Sequence, residues 1–414
     1  MPKAALQIRS TRLVHPRRRL RRTLDAGVCL LIAALLVGAW HVERFEVPSG
    51  SMAPTLLGRH RRLTCRDCGH AFDCGADEDA MQGKRAVCPN CGYVGQELAS
   101  APALRGDRVL AHRAAFELRP PRRWELAAFR NPLAASQIFV KRVAGLPNET
   151  IEIRHGDVYA DGAIQRKTLV EQQAMAILVH DANARPTRTA GLPPRWQGEP
   201  ETTRWQAANG RFVYPPLKRP ATHGDEPPGI DWLTYRHWRR RPGLPDEADE
   251  APITDLCGYN QTRPVVRPYQ VRDLLVSCRL RVSGVGSLAW FVTDGQAQFI
   301  LELFPARRRA ELRRDGALVA SADGLPELTG REVRFVLSLF DQQALLALDG
   351  QTILVHPYRP DASPFRPTSR PLAIGSRGLG IEIRDIRLYR DVYYTPPAGG
   401  PGRAPGSGVV QYRL

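Results

Sequence analysis

The pattern of apolar and polar residues divides the chain into one apolar run near the N-terminus and a long series of short alternating segments. The apolar run extends from residue 26 to residue 40. Alternation with a period of two residues occurs between residues 104 and 166 and again between residues 265 and 394. This period is typical of strands that bury one face. The pattern therefore predicts a mainly β protein that follows a single N-terminal helix.

The apolar run directly follows a cluster of five arginines between residues 17 and 22. A transmembrane helix needs roughly 17–25 apolar residues and the core of a cleaved signal peptide about 7–15, so length leaves both alternatives open. The run continues to Val42 without a small-x-small cleavage site, which favours an anchor. Because flanking basic residues stay in the cytoplasm, we expect residues 1–42 to be a basic arm and a single-pass transmembrane anchor. The rest of the chain would then lie on the outer face of the cell (inner) membrane.

The β segments indicate more than one domain. Short strands predicted around residues 108–112, 138–144 and 150–160 place one core in residues 43–64 and 100–166. Residues 167–262 are rich in Pro, Arg and Trp, show little periodicity, and are predicted to be an irregular insertion. Residues 263–394 predict a β-sandwich whose strand pattern resembles a concanavalin-like or laminin-G-like jelly roll. Residues 395–414 are predicted to be a Pro/Gly-rich tail.

The formal net charge of +17 and the pI of about 10.0 favour an anionic partner. Nucleic acid and the head groups of a membrane both fit such a charge. Given the predicted anchor, we expect contact with membrane lipid and no binding of nucleic acid. We also expect the predicted β-sandwich to bind a glycan or a protein.

A cysteine-rich insertion is predicted over residues 65–95. It contains two Cys-x-x-Cys pairs, and a glycine follows each pair. Four thiolates at this spacing are typical of a zinc ribbon, and the alternative is two disulfides. We favour a structural zinc ion, and no cofactor is expected for catalysis. The four ligands of that ion would be Cys65, Cys68, Cys88 and Cys91.

Two further motifs carry candidate catalytic residues. Residues 45–56 are Phe-Glu-Val-Pro-Ser-Gly-Ser-Met-Ala-Pro-Thr-Leu, and residues 139–147 are Phe-Val-Lys-Arg-Val-Ala-Gly-Leu-Pro. In this order they resemble the serine and lysine motifs of type I signal peptidases, and residues 106–112 resemble a strand motif that lies between them in that family. The resemblance implies a β-barrel-like protease core in which Ser51 is the nucleophile, Lys141 the general base and Ser49 part of the oxyanion hole.

The chemistry that the resemblance implies is consistent with these residue types. A serine hydroxyl needs a base, and a lysine can serve as one when apolar neighbours favour its neutral form. Phe139, Val140, Val143 and Ala144 are expected to form that environment. The implied substrate is a signal peptide with an Ala-x-Ala-like end, bound as an added β-strand beside residues 46–48.

One part of the family pattern has no counterpart in this sequence. The last motif, a Gly-Asp-Asn stretch followed by Ser and Asp-Ser-Arg, is matched poorly by residues 375–380 and 384–387. We expect truncation to explain the difference. Two hypotheses follow: a membrane-bound serine endopeptidase that removes N-terminal signal peptides from exported preproteins, or a catalytically inactive relative that acts as a membrane-anchored binding protein.

Overall fold

The structure is a computed structural model that describes most of the chain. The described residues are 16–76, 85–132, 134–188, 191–199, 202–208, 210–217, 229–241, 243–256, 259, 268–361, 363–395 and 410–413. The chain forms two compact units, which are considered separately below. The first contains residues 1–46 and 108–121, and the second contains residues 47–107 and 122–414.

Among its described residues, the first part of the chain contains three α-helices and eleven short strands. In chain order these are α1 (Pro16–His41), β1 (Val42–Glu46), β2 (His60–Thr64), β3 (Ala71–Gly75), β4 (Arg85–Val87), β5 (Val94–Glu97), β6 (Arg108–His112), α2 (Ala115–Leu118), β7 (Leu126–Asn131), β8 (Ala134–Arg142), β9 (Thr150–Arg154), β10 (Asp157–Ala160), β11 (Ala163–Ile164) and α3 (Leu169–Met175). The strands predicted around residues 108–112, 138–144 and 150–160 are therefore present.

The first unit consists of α1, α2 and an antiparallel ribbon of β1 with β6. α1 covers the apolar run, and its leucines are exposed, including Leu30 at 72% and Leu36 at 66%. In the described part of the chain, however, no helix is both long and apolar enough to cross a membrane. The predicted transmembrane anchor is unsupported in these residues.

The predicted protease core consists of several small sheets. In the second unit, β2 pairs with β3, β4 with β5, and β7 with β8, while β11, β10, β9 and β29 (Val410–Arg413) form a four-stranded sheet. The closed core that the resemblance implies is not seen among the described residues. The register of β29 against β9 pairs Val410 with Ile153, so part of the predicted tail is a strand.

Most of the remaining strands build a β-sandwich. They are β12 (Ile177–Asp181), β13 (Trp196–Glu199), β14 (Gln206–Ala208), β15 (Arg211–Tyr214), β16 (Asp231–Tyr235), β17 (Trp238–Arg241), β18 (Leu244–Glu250), β19 (Leu274–Ser283), β20 (Ser287–Thr293), β21 (Gln298–Phe304), β22 (Arg309–Arg314), β23 (Ala317–Asp323), β24 (Glu332–Phe340), β25 (Gln343–Leu348), β26 (Gln351–Pro357), β27 (Leu372–Arg377) and β28 (Gly380–Arg390). One sheet has the order β14-β15-β28-β19-β24-β25-β26 with β12 beside β28, and the other has the order β13-β16-β27-β20-β21-β22-β23. β17 and β18 form a separate hairpin.

The core of the sandwich lies between these two sheets. Alternate residues of β19 are buried, as expected for a strand with one face on the core. Trp290 of one sheet stacks on Phe335 of the other, with ring centroids 4.5 Å apart and both side chains fully buried. The contact joins the two inner faces, and it confirms the mainly β class and the sandwich.

The prediction that residues 167–262 are irregular is wrong. This segment contains α3 and β12 to β18, and β12 to β16 complete both sheets of the sandwich. The strands are short, and β14 is exposed at all three residues. Alternation is present in β15, where exposed and buried residues follow one another. Strands of only three to five residues, such as β12 to β16, are too short for that pattern to stand out in the sequence.

A buried ammonium group joins the sandwich to the strands near the predicted site. Lys167 is 2% exposed, and its Nζ donates to Asp341 at 2.6 Å and to Asp391 at 2.7 Å. The same atom lies 4.6 Å from the ring centroid of Trp124. Burial lowers the pKa of Lys167, but the two carboxylates outweigh it and raise the pKa above its ordinary value. Lys167 is therefore a charged lysine in the interior.

Asp157 of β10 belongs to the same buried group of charges. Burial and the negative charge of Asp341 raise the pKa of Asp157 to about 7. The folded protein therefore retains a proton on Asp157 between about pH 4 and pH 7, where the unfolded chain releases it. Because the unfolded state binds fewer protons, the free energy of unfolding decreases as the pH rises through this range.

We predict that Asp157→Asn reduces this loss of stability, because an amide resembles the protonated carboxyl. The measurement is the free energy of unfolding from denaturant titration at pH 4.5, 6 and 7.5. For each unit of rising pH, the free energy of unfolding of the wild type should decrease by up to about 1.4 kcal/mol more than that of the variant. Asp323→Asn, at a side chain that is 72% exposed, is the control and should follow the wild type. Parallel pH profiles for wild type and Asp157→Asn would contradict the prediction.

Candidate active site

Ser51 lies in residues 47–57, a segment called the serine turn below, and both ends of this segment are hydrogen-bonded to Asp107. A single 3-10 turn covers Gly50–Met52 and follows Val47, which is buried. The backbone N–H of Val47 donates to the Asp107 carbonyl at 2.9 Å. At the other end, the backbone N–H of Leu57 donates to Asp107 Oδ2 at 2.8 Å. Because one residue fixes both ends, the position of Ser51 is defined although its side chain is exposed.

Lys141 reaches Ser51 from the hairpin of β7 and β8. Lys141 lies opposite Ala127 in that hairpin, and its Nζ donates to Ser51 Oγ at 2.5 Å. The Ser49 hydroxyl donates to the same Ser51 oxygen at 3.3 Å. The structure thus brings together the three residues predicted from the two motifs.

A second contact joins the hairpin to the serine turn. Arg142 Nη2 donates to Thr55 Oγ1 at 3.2 Å, and Nη1 donates to the Trp124 carbonyl at 2.7 Å. Trp124 in turn donates its backbone N–H to the Val143 carbonyl at 2.7 Å. Arg142 therefore fixes the end of β8 beside the serine, a role that the sequence alone did not indicate.

The surroundings of Lys141 differ from the expected apolar environment. Its side chain is exposed, and so is Phe139, which is 38% exposed and has its ring centroid 5.8 Å from Lys141 Nζ. Val140, Val143 and Ala144 are only partly buried. The apolar side chains are thus adjacent to the lysine, but they do not bury it.

Tyr259 packs on the serine turn from a distant part of the sequence. The tyrosine is 5% exposed, and its hydroxyl donates to the Arg59 carbonyl at 3.2 Å. A Cβ atom placed on Gly50 would lie 2.0 Å from Tyr259 Cε1. Glycine at position 50 is therefore required for this packing. Nothing near Tyr259 in the sequence predicts the contact, because it arises only from the tertiary fold.

We predict that Gly50→Ala destabilises the protein by about 1–3 kcal/mol, because the added methyl group overlaps the Tyr259 ring. In a Tyr259→Ala background, Gly50→Ala should change the free energy of unfolding very little. Free energies of unfolding for the two single variants and the double variant measure this coupling. Gly229→Ala, at an open position with no atom within 4 Å, is the matched control. Equal costs of Gly50→Ala in both backgrounds would contradict the contact.

The four predicted metal ligands form one buried group. Their ligand atoms all lie within 4.8 Å of one another. The Sγ atoms of Cys65 and Cys91 are 3.7 Å apart, and those of Cys68 and Cys88 are also 3.7 Å apart. Hydrogen bonds from the other three thiols lower the pKa of Cys65, whereas hydrogen bonds within the same group raise the pKa of Cys88 and of Cys91.

These distances fit a metal ion better than disulfides. A tetrahedral zinc ion with Zn–S bonds of about 2.3 Å places its sulfurs roughly 3.8 Å apart, whereas a disulfide bond is about 2.05 Å. All four cysteines are unpaired thiols in the structure. The cluster is therefore compatible with a structural metal, while Cys74, also buried, lies outside it.

The cysteine cluster is attached to the sandwich by two side chains from its turns. Asp67 accepts the backbone N–H of Thr187 and of Arg188 and forms an ion pair with Arg240. Asn90 accepts the backbone N–H of Asp181 at 2.8 Å and donates to the Ala184 carbonyl at 2.7 Å. A bound metal would hold both turns in the positions that these contacts require.

We predict that the purified chain binds about one zinc ion and that Cys65→Ser and Cys91→Ser abolish the binding. Removing the metal with a chelator should increase amide hydrogen exchange in residues 63–72 and 86–91 and around residues 181–188. Cys74→Ser is the matched control and should keep the metal. The prediction fails if mass spectrometry of the native protein finds two disulfides, or if metal content is unchanged in Cys65→Ser.

Comparisons with known proteins include a family model, a sequence relative and solved structures. Residues 93–201 match the family model described as signal peptidase, peptidase S26. This range includes Lys141, and Ser51 lies before it. A probable signal peptidase I-1 from Synechocystis sp. is 31% identical over 74 residues, which are 16% of this chain and 38% of that relative. The matches associate this segment with the signal peptidase family, and the chain spans less than half the length of the relative.

The other comparisons are with solved structures. A protein of unknown function with a galectin-like fold from Bacillus subtilis is 13% identical, with a TM-score of 0.31, and the match covers 53% of this chain and 99% of that one. The exoplasmic/lumenal domain of VIP36 is 10% identical, with a TM-score of 0.31 and coverages of 50% and 88%. Superpositions this poor bear on neither ligand nor activity. The expected glycan or protein ligand, the contact with lipid and the lack of nucleic-acid binding stay predictions.

Proposed function

We propose that this chain is a serine endopeptidase that removes N-terminal signal peptides from exported preproteins. The observation that carries the proposal is the contact of 2.5 Å between Lys141 Nζ and Ser51 Oγ. This distance is short enough for direct proton transfer between a nucleophile and its base. The match of the segment that contains Lys141 to the signal peptidase family supports the same reaction.

The proposed reaction begins with the transfer of a proton. Neutral Lys141 takes the hydroxyl proton of Ser51 as Oγ attacks the scissile carbonyl carbon. The Ser49 hydroxyl, which lies 3.3 Å from Ser51 Oγ, and backbone N–H groups of the turn then stabilise the oxyanion. As the C–N bond breaks, the Lys141 ammonium returns the proton to the departing amine, and an ester on Ser51 remains. Water, activated by the same lysine, hydrolyses that ester.

The exposure of Lys141 gives the substrate a role in activating the base. In the free protein the side chain of Lys141 is open to water. A peptide that lies across the serine turn would displace this water, and removal of water favours the neutral amine. The partly exposed Phe139 would then close the apolar side of the site. We propose that the base becomes effective mainly in the complex with substrate.

We propose the outer face of the cell membrane as the place of action. The exposed leucines of α1 and the arginines that precede them support contact with lipid. Flotation with anionic vesicles, compared between the full chain and a variant with Leu30→Asp and Leu36→Asp, tests this. Binding that does not depend on these two leucines would contradict the contribution of α1.

We predict that Ser51→Ala and Lys141→Ala each reduce cleavage of a labelled preprotein ending in Ala-x-Ala by about 10⁴-fold or more, because nucleophile and base act as one unit. Ser49→Ala should reduce kcat by about 10²-fold, as expected for one oxyanion donor. Mass spectrometry of the products locates the cut, which should follow the last alanine.

Ser100→Ala, at an exposed serine outside the site, is the matched control and should keep full activity. Ser51 and Lys141 are exposed, so the loss should occur without a change in the thermal unfolding midpoint. Cleavage that persists in Ser51→Ala would contradict the proposal. No cleavage by the folded wild type would favour the binding-protein hypothesis.

A further inference from the structure

A cavity of ≈ 630 Å³ lies beside the cysteine cluster in the second unit. Its walls come from β4, from β12, and from the hairpin of β17 and β18 with the residues that follow it. Val179 and Ile253 form part of an apolar side, and Trp238 is also in the wall. The volume is in the range of small-molecule sites, which are commonly about 300–1,000 Å³. Neither the serine turn nor Lys141 lines this cavity.

Several arginines line the cavity, and they differ in whether their charge is balanced. Arg240 forms an ion pair with Asp67, and Arg241 forms ion pairs with Asp249 and Glu247. Arg85, at the exposed start of β4, has no such partner among the described residues. The half-buried Arg195 and Arg239 have none either. Among the described residues, no carboxylate lies within ion-pair distance of either guanidinium, and only a weaker attraction from Asp255 acts on Arg239. The half-buried charges of Arg195 and Arg239 are therefore not neutralised by any described carboxylate.

The hydrogen bonds of these two arginines show which one has donors left for a ligand. Arg195 gives both Nη atoms to neutral acceptors, namely the hydroxyl of Tyr235, the His237 ring, and the carbonyls of Asn90 and Trp238. Its guanidinium stacks on the Trp238 ring at 3.9 Å. Among the residues that the structure describes, Arg239 donates only to Thr254 Oγ1. A guanidinium has five N–H donors, so Arg239 keeps four of them.

The electrostatic setting of the cavity favours an anion. Burial lowers the pKa of Arg239, which means that the protein structure opposes its charge. Burial, followed by the charges of Arg195 and Arg239, holds the pKa of His237 well below its usual value, so this ring is neutral and adds no further positive charge. An anion beside Arg239 would offset the cost of holding two cations in the wall.

We propose that this cavity binds an amphipathic anion, with a phosphate or carboxylate group on Arg239 and an apolar chain against Val179 and Ile253. The planar fork of Arg239 suits a bidentate contact with either group. Arg195, held rigidly on Trp238, contributes charge rather than donors. The ligand chemistry is shared by membrane phospholipids and by soluble acyl or alkyl phosphates, and the probes below distinguish these sources.

The test is isothermal titration of the full chain carrying Ser51→Ala with inorganic phosphate, octyl phosphate, octanoate and neutral octyl glucoside. Octyl phosphate should bind at least tenfold more tightly than phosphate alone, and octyl glucoside should not bind in the cavity. Arg239→Gln should weaken the binding of octyl phosphate by about 10–100-fold, as expected for loss of a hydrogen bond to a charged group. Arg239→Lys should retain part of the affinity, because it keeps the charge without the fork.

Arg241→Gln is the matched control, because this arginine lines the same cavity but is already ion-paired. It should change affinity less than threefold. Equal losses in Arg239→Gln and Arg241→Gln, or no binding of any anionic probe at millimolar concentration, would overturn the proposal. Binding of a short-chain phosphatidic acid more tightly than octyl phosphate assigns the ligand to lipid, and the reverse order assigns it to a soluble phosphate. Because binding is measured with Ser51→Ala, the result does not depend on proteolysis.

Discussion

The buried ammonium of Lys167 is the constraint on which much of the second unit depends. A charge in the interior is tolerated only when it is paired and hydrogen-bonded, and removal of one partner typically costs about 3–5 kcal/mol. Asp341 and Asp391 supply the pairing from the sandwich, and Trp124 covers the ammonium from the side of the site. Trp124 is also bonded to Arg142, next to Lys141. The large sandwich therefore serves as a fixed support for a small, exposed site.

The exposed site is accordingly positioned by groups that are not themselves exposed. Asp107 ties both ends of the serine turn, and Tyr259 covers Gly50. Arg142 holds β8 against Thr55. These contacts are present although Lys141 is exposed and not buried among apolar side chains, as the sequence suggested it would be. A nucleophile and its base must be placed precisely, and water must be removed from the base. The contacts named above meet the first requirement.

Most of the site could be predicted from two short sequence motifs. Ser49 and Ser51 lie within one turn, and a few residues around Lys141 were enough to nominate it. Several strands after residue 274 could be predicted because residues that are buried alternate with less buried ones, as in β19, β21 and β22. By contrast, β12 to β16 are short, and their register depends on strands far away in the sequence. Tyr259 and the uncompensated Arg239 could not be predicted, because each matters only through neighbours that the fold supplies.

The central claim is that Ser51 becomes covalently attached to the substrate with Lys141 as its base. The most direct measurement is mass spectrometry after rapid acid quenching of the full chain mixed with a preprotein-derived peptide ester. The account predicts an acyl adduct on the peptide that contains Ser51, absent in Ser51→Ala and strongly reduced in Lys141→Ala. An adduct on another residue, or product formed at the wild-type rate by Ser51→Ala, would contradict it.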